Sequence, residues 1–180
     1  LNGKIDRRRS LGKIENLKKL LKKSPIKGNV GIGHTRWATH GIPSRTNAHP
    51  HSSGDVAVVH NGIIENYDVL RKDLERKNII FESDTDTEVI AHLISFFLKK
   101  KLSPLKATVT ALKKVEGAFA LGIIFSGINN YLICAKRGSP LAIGKGKNCN
   151  YIGSDSIALA PLTQKLCYLN EGDIAEITSE

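Results

Sequence analysis

Apolar residues recur along this chain with two different periods, and the change between them divides it. Near the front, Ile14, Leu17, Leu20 and Leu21 share one face, which predicts a short amphipathic helix over Ile14 to Lys23. Ser24-Pro25 ends it, because the residue before a proline avoids the helical region. Residues 4–9 read as a short strand before it, and "NVGIGHTRW" reads as a Gly-rich extended run after it. "VAVVH" (Val56 to His60) is β-branched and apolar, the mark of a buried strand. Asn61-Gly62 and then Ile63 and Ile64 follow, and Asn-Gly between two apolar β runs predicts a hairpin.

The period then lengthens. Val69, Leu70 and Leu74 give a helical stripe from Asn66 or Tyr67 to Lys77. Thr85 or Thr87 is placed to cap a longer helix reaching about Lys100, with Glu88 in its first turn. Apolar positions cover more than one face of that helix, so it should be largely buried. Ser103-Pro104 opens another, to about Val115, with serine as cap and proline at the first helical position. From Gly117 the pattern shortens again: "AFALGIIF", "YLICAK", "LAIG", "YIGS" and "DIAEI" are strand-type runs split by Gly, Asn, Ser and Pro. A helix-rich middle and a strand-rich rear predict an α+β fold with mainly antiparallel pairing, two sheets with helices over their outer faces.

Composition narrows the class. The 180 residues suffice for one domain with a substantial core. No apolar run approaches the ~20 residues that span a membrane, and the front lacks the apolar segment of a signal peptide. Three cysteines without a CxxC pair do not make a disulfide framework, and point to a reducing cytoplasm. The chain holds no methionine and starts at Leu1, so it is expected to be an N-terminally truncated piece of something longer, a single domain over 1–180. The net charge of +10 is concentrated in residues 1–28, which carry ten Lys and Arg against Asp6 and Glu15. A nucleic-acid arm would have that charge, but no aromatic residue is interleaved to stack bases, and a solvated basic face is the reading preferred.

Candidate chemistry gathers in "GHTRWATHGIPSRTNAHPH", which holds four of the six histidines and the single tryptophan. A zinc site is disfavoured: HExxH and paired cysteines are absent, and the His49/His51 pair sits around a proline with no carboxylate nearby. Arg36 offers a planar fork for a carboxylate, or is a structural arginine. Trp37 can close over a small ligand, or is a core residue. The Asn61 amide and the Gly62 backbone N–H can donate to an oxyanion, or form a plain turn. Asp84 and Asp86 stand where helix caps stand, or Asp86 pairs with a ligand ammonium. Taken together, the functional alternatives describe a site for an amino acid whose side-chain carbonyl reacts.

The motifs "HTRWATHG", "NAHPH", "HNGIIEN" and "SDTDTEVIAHL", in that order and spacing, closely resemble the glutaminase domains of the glutamine–fructose-6-phosphate aminotransferase (isomerising) family, a branch of the class II glutamine amidotransferases. The likeness runs through "GSPLAIG", Ser154-Asp155 and "LNEGDIAEIT", covering about Leu11 to Thr178. "RWATHG" favours this branch over the purine-pathway amidophosphoribosyltransferases, which read closer to "RYSTxG". The resemblance implies an N-terminal-nucleophile hydrolase fold, a four-layer αββα sandwich with two stacked antiparallel sheets. It implies that L-glutamine is bound and its amide hydrolysed through a cysteine thioester, with no cofactor or metal. Ammonia then passes to sugar-isomerase domains of the same parent chain, which is expected to be a homo-oligomer. Carried over by motif, Arg36 holds the α-carboxylate, and Asp86, with the Gly62 carbonyl, holds the α-ammonium. Asn61 and Gly62 form the oxyanion hole, Thr39 and His40 line the pocket, and Trp37 sits on the closing loop. The departure is at the front: the family's N-terminal cysteine has no counterpart here, and Cys134, Cys149 and Cys167 lie outside the motif. The 180 residues alone are therefore expected to be inactive, with a sheet edge left unpaired. A glutamine-sensing or partner-docking module without catalysis is the alternative.

Overall fold

A computed structural model describes residues 3–36 and 40–179. Among the described residues five helices and eight strands follow in the order α1 (Ile14–Lys23), β1 (His51–Ser53), β2 (Val56–Ile64), α2 (Tyr67–Glu75), α3 (Thr87–Lys99), α4 (Pro104–Leu112), β3 (Gly117–Phe125), β4 (Tyr131–Arg137), β5 (Ala142–Lys145), β6 (Asn150–Gly153), α5 (Ser156–Leu159), β7 (Leu166–Tyr168) and β8 (Ile174–Thr178). The first sheet has the order β1-β2-β3-β4-β8 and the second β6-β5-β7, and every ladder within them is antiparallel.

The two-residue period of β3 decides how the layers stack. Phe119, Leu121, Ile123 and Phe125 face one way, into the larger core with Val89, Ile90, Ile94 and Ala111 from α3 and α4. Ala120 and Ile124 face the other way, toward Ile143 and Ile152 of the second sheet. Each fully buried Ile or Leu of this kind contributes roughly 1.5–3 kcal/mol. Helices, first sheet and second sheet thus follow one another as an α+β sandwich, with one-turn α5 packed against β6. Between the sheets lies a cavity of about 740 Å³ bordered by Val30, Ile32, Gly122, Leu132 and Ile152.

The helices match their patterns closely. α1 covers the stretch its periodicity marks, although none of its residues is buried. α3 is buried from Thr87 through Ser95 and again at Phe97. Ser103 caps α4, its hydroxyl accepting from the Lys106 N–H. Three expectations fail. Residues 4–9 form no strand; side chains rather than a backbone ladder tie them down, with Arg7 donating to the Pro50 carbonyl and Ser52 Oγ, and Arg9 to the Thr46 and Ala48 carbonyls. Neither Thr85 nor Thr87 caps α3, since Thr85 lies outside it and bonds instead to Ser83 and His51.

The third failure concerns Asn61-Gly62, which is no hairpin turn. β2 runs straight through it, pairing Asn61 with Ala120, Gly62 with Phe119 and Ile64 with Gly117. A two-residue type I′ turn needs positive φ at both central residues, and of this pair only Gly62 has it, at +130°. The glycine serves a close approach instead: a Cβ there would stand 2.1 Å from the Ala118 carbonyl oxygen. Among the described residues no helix is long and apolar enough to cross a membrane.

Candidate active site

Beyond the end of short β1, the edge of β2 opposite β3 is left uncovered, and a site is built there. The His60 N–H leaves the strand on that side to reach His49 Nδ1 at 3.2 Å, and the Ile64 N–H does the same to reach Asp86 Oδ2 at 2.8 Å. Gly62 lies between them in the two-residue period of the strand. Asp86 stands immediately before α3 but makes no capping bond, so its carboxylate is turned from the helix toward β2.

Three distant segments meet at this edge. A cavity of about 490 Å³ is lined by His34 and Arg36, by Asn61 and Gly62, and by Asp86 with its neighbours Thr85 and Thr87. The Arg36 guanidinium bridges its own loop, donating to the carbonyls of His40, Gly41 (3.0 Å) and Ile42 (3.4 Å). These bonds use both terminal nitrogens, so a carboxylate ligand would share the fork with the loop or replace it. His40 does not line this cavity, and its ring packs edge-on against Tyr67 at 5.0 Å. Trp37 and Thr39 lie outside the described residues. None of Cys134, Cys149 and Cys167 lines the cavity. Cys134 is buried between the sheets, where burial pushes its thiol up to about 11, and the other two are exposed.

The walls are a buried polar network that single-motif reasoning missed. Asn47 is almost fully buried and exchanges two hydrogen bonds with Asp84, its Oδ1 accepting from the Asp84 N–H and its Nδ2 donating to Asp84 Oδ2. That reciprocal pair fastens the arginine loop to the turn carrying Asp86. His34 and His49 stack at 4.2 Å, His49 meets His51 edge-on at 4.9 Å, and His60 Nδ1 lies 3.0 Å from Thr87 Oγ1. Glu88 accepts from the Glu82 and Ser83 N–H groups, the Ser83 hydroxyl and His92. The visible signal for all this was the run of histidines, whose stacking on one another has no sequence signature. Among the described residues no three His, Cys, Asp or Glu side chains are arranged to hold a metal ion.

Protonation of this network has a definite sign. Burial lowers the pKa of His34, His49, His51 and His60, and brings His51 down to about 4 from an ordinary 6.5. Burial alone would raise Glu88, but its hydrogen bonds from His92, Glu82 and Ser83 outweigh that and hold it at about 2. In both cases the unfolded chain takes up protons more readily than the folded one. Stability from the histidines is therefore complete above their unfolded value and is lost as pH falls from 6.5 toward 4; that from Glu88 is lost between 4.5 and 2. His51 alone accounts for roughly 2 kcal/mol between pH 7 and pH 5. Thermal melts at those two pH values are expected to show Tm several degrees lower in the acid sample, and equal melting temperatures would contradict a buried neutral stack.

Comparison with known proteins places these features in context. A family model for the glutamine amidotransferase domain matches residues 34–161. The glutamine–fructose-6-phosphate aminotransferase (isomerizing) of Zymomonas mobilis is 54% identical over 99% of this chain, and that of Gluconobacter oxydans 50% over 99%. The chain spans only 30% and 29% of the lengths of those two relatives. Among solved structures, the glutamine phosphoribosylpyrophosphate amidotransferase from B. subtilis superimposes with a TM-score of 0.65 at 27% identity, over 81% of this chain and 32% of that one.

Proposed function

The chain belongs to the glutamine amidotransferase domain family, and from that premise we propose that the cavity beside β2 binds L-glutamine and takes part in hydrolysing its side-chain amide. The reading rests on one observation above all: Arg36, Asn61-Gly62 and Asp86, far apart in sequence, line one cavity. Arg36 takes the α-carboxylate with its planar fork. Asp86, buried and not engaged in capping, takes the α-ammonium. The amide carbonyl then lies toward Asn61 and Gly62, whose side-chain NH₂ and backbone N–H stabilise the oxyanion of the tetrahedral intermediate. The attacking thiolate is none of Cys134, Cys149 and Cys167, which do not line the cavity.

We further assign the ammonia to fructose 6-phosphate, giving glucosamine 6-phosphate on sugar-isomerase domains of a longer chain. Two relatives bearing that activity in their names are 54% and 50% identical to this chain, against 27% for the phosphoribosylpyrophosphate enzyme. Three unpaired cysteines fit the reducing cytoplasm as the place of action.

The test is Arg36→Lys in the full-length protein. Lysine keeps the charge and loses the fork, so the dissociation constant for glutamine by calorimetry should rise about tenfold or more. An unchanged constant removes Arg36 from carboxylate binding.

A further inference from the structure

We infer that His34 is the positioning residue of this site: its Nε2–H holds the Asn61 side-chain oxygen, and so turns the Asn61 NH₂ group toward the reacting carbonyl. The inference rests on the proposal that Asn61 serves the oxyanion. His34 reaches the site from the extended segment before Arg36, and its Nε2 lies 2.5 Å from Asn61 Oδ1. The pair borders both the cavity beside β2 and the larger one between the sheets. It therefore stands at the partition between them.

An asparagine amide has two ends of nearly equal shape and opposite chemistry. Turned one way it offers a donor to a developing oxyanion; turned the other way it presents a second oxygen and repels it. The position of a single proton on His34 decides between them. A neutral imidazole carries one N–H. His34 Nδ1 is buried and has no hydrogen-bond partner among the described residues. A proton there would be a buried unpaired donor, which is costly. The same proton on Nε2 has an acceptor at hand in Asn61 Oδ1.

The surroundings hold the ring in this state. His34 stacks on His49 at 4.2 Å with the ring planes 19° apart. His49 Nδ1 accepts from the His60 N–H, so that ring keeps its own proton on Nε2, near Thr87 Oγ1 at 3.5 Å. Arg36 is a further cation close by. A second charge on His34 would be added beside that cation in a buried stack, and neutrality fixes the number of its N–H groups at one.

The experiment compares His34→Phe, His34→Gln, Asn61→Ala and the double variant His34→Phe/Asn61→Ala for glutamine hydrolysis in the full-length enzyme. Glutamine places its amide nitrogen where the histidine Nε2 stood and keeps the donor. His34→Phe should lower kcat by roughly ten- to a hundredfold with KM nearly unmoved. His34→Gln should recover most of that loss, and the double variant should be no slower than Asn61→Ala. Unchanged kcat in His34→Phe, a change confined to KM, or no recovery in His34→Gln would each overturn the inference. If Asn61→Ala itself leaves kcat intact, the oxyanion proposal fails instead, so the two failures are separable. Imidazole ¹⁵N shifts of the wild-type enzyme give a readout independent of how the variants fold. The Nε2–H tautomer at His34 supports the assignment, and the Nδ1–H tautomer overturns it.

Discussion

Gly62→Ala is expected to destroy both the fold around the site and its activity. A methyl group at this position would lie 2.1 Å from the Ala118 carbonyl oxygen and 2.7 Å from its carbon, inside the closest approach of real atoms. Neither atom can retreat on its own, because Ala118 belongs to β3 and its neighbour Phe119 pairs with Gly62 itself. The third contact, His60 Nε2 at 3.0 Å, is a buried ring bonded to Thr87. To this is added backbone strain: φ is +130°, which an L side chain adopts at a cost of order 1–3 kcal/mol. Relief requires β2 and β3 to part at the middle of the first sheet. A total loss above ~4 kcal/mol is expected, seen as insoluble protein or a Tm lower by ten degrees or more. A variant that melts within about two degrees of wild type would mean that the close approach of the two strands is not a feature of the folded protein.

Asn61→Ala is expected to be milder for the fold and severe for the chemistry. Asn61 is only partly buried, and its side chain bonds to His34 rather than to the core. Truncation removes one of two donors to the proposed oxyanion. Such donors act on charge that appears only in the transition state, so kcat should fall about 10²- to 10³-fold, ~3–4 kcal/mol, while KM for glutamine changes little. Steady-state kinetics with glutamine as sole substrate would read this. A rise in KM with kcat intact would place Asn61 in ground-state binding.

Much of the scaffold was legible because it depends on near neighbours. The Ile14–Lys23 stripe, the Ser103-Pro104 start and the apolar runs after Gly117 each state their own period and punctuation. The errors arose where a distant partner decided the outcome. Asn-Gly carries a strong local turn signal, yet β3 offers a full ladder from Gly117 to Phe125 and the strand continues along it. Thr85 and Thr87 are good caps in isolation, but His51 and His60 claim their hydroxyls. The short β1 and β7 hold three residues each, too few for a two-residue period to declare itself.

For the site, the motifs carried the chemistry of individual residues and the expectation that they meet, whereas the contacts that bring them together were not readable. Arg36, Asn61, Gly62 and Asp86 were identifiable as a fork, a pair of donors and an acid. That they border one cavity follows from the Asn47–Asp84 pair and from a β1 too short to cover the edge of β2. The contact between the His40 ring and Tyr67 likewise joins two distant segments and is not contained in "RWATHG".

The measurement that bears most directly on the central claim is a crystal structure of the full-length protein with L-glutamate, which keeps the amino-acid end of glutamine and cannot be hydrolysed further. The α-carboxylate should lie on the Arg36 guanidinium and the α-ammonium on Asp86. The side-chain carboxylate should lie within about 3 Å of the Asn61 NH₂ and the Gly62 N–H. Glutamate bound anywhere other than between these three segments, or bound there with Arg36 still bridging the carbonyls of its own loop and making no contact to the ligand, would contradict that claim.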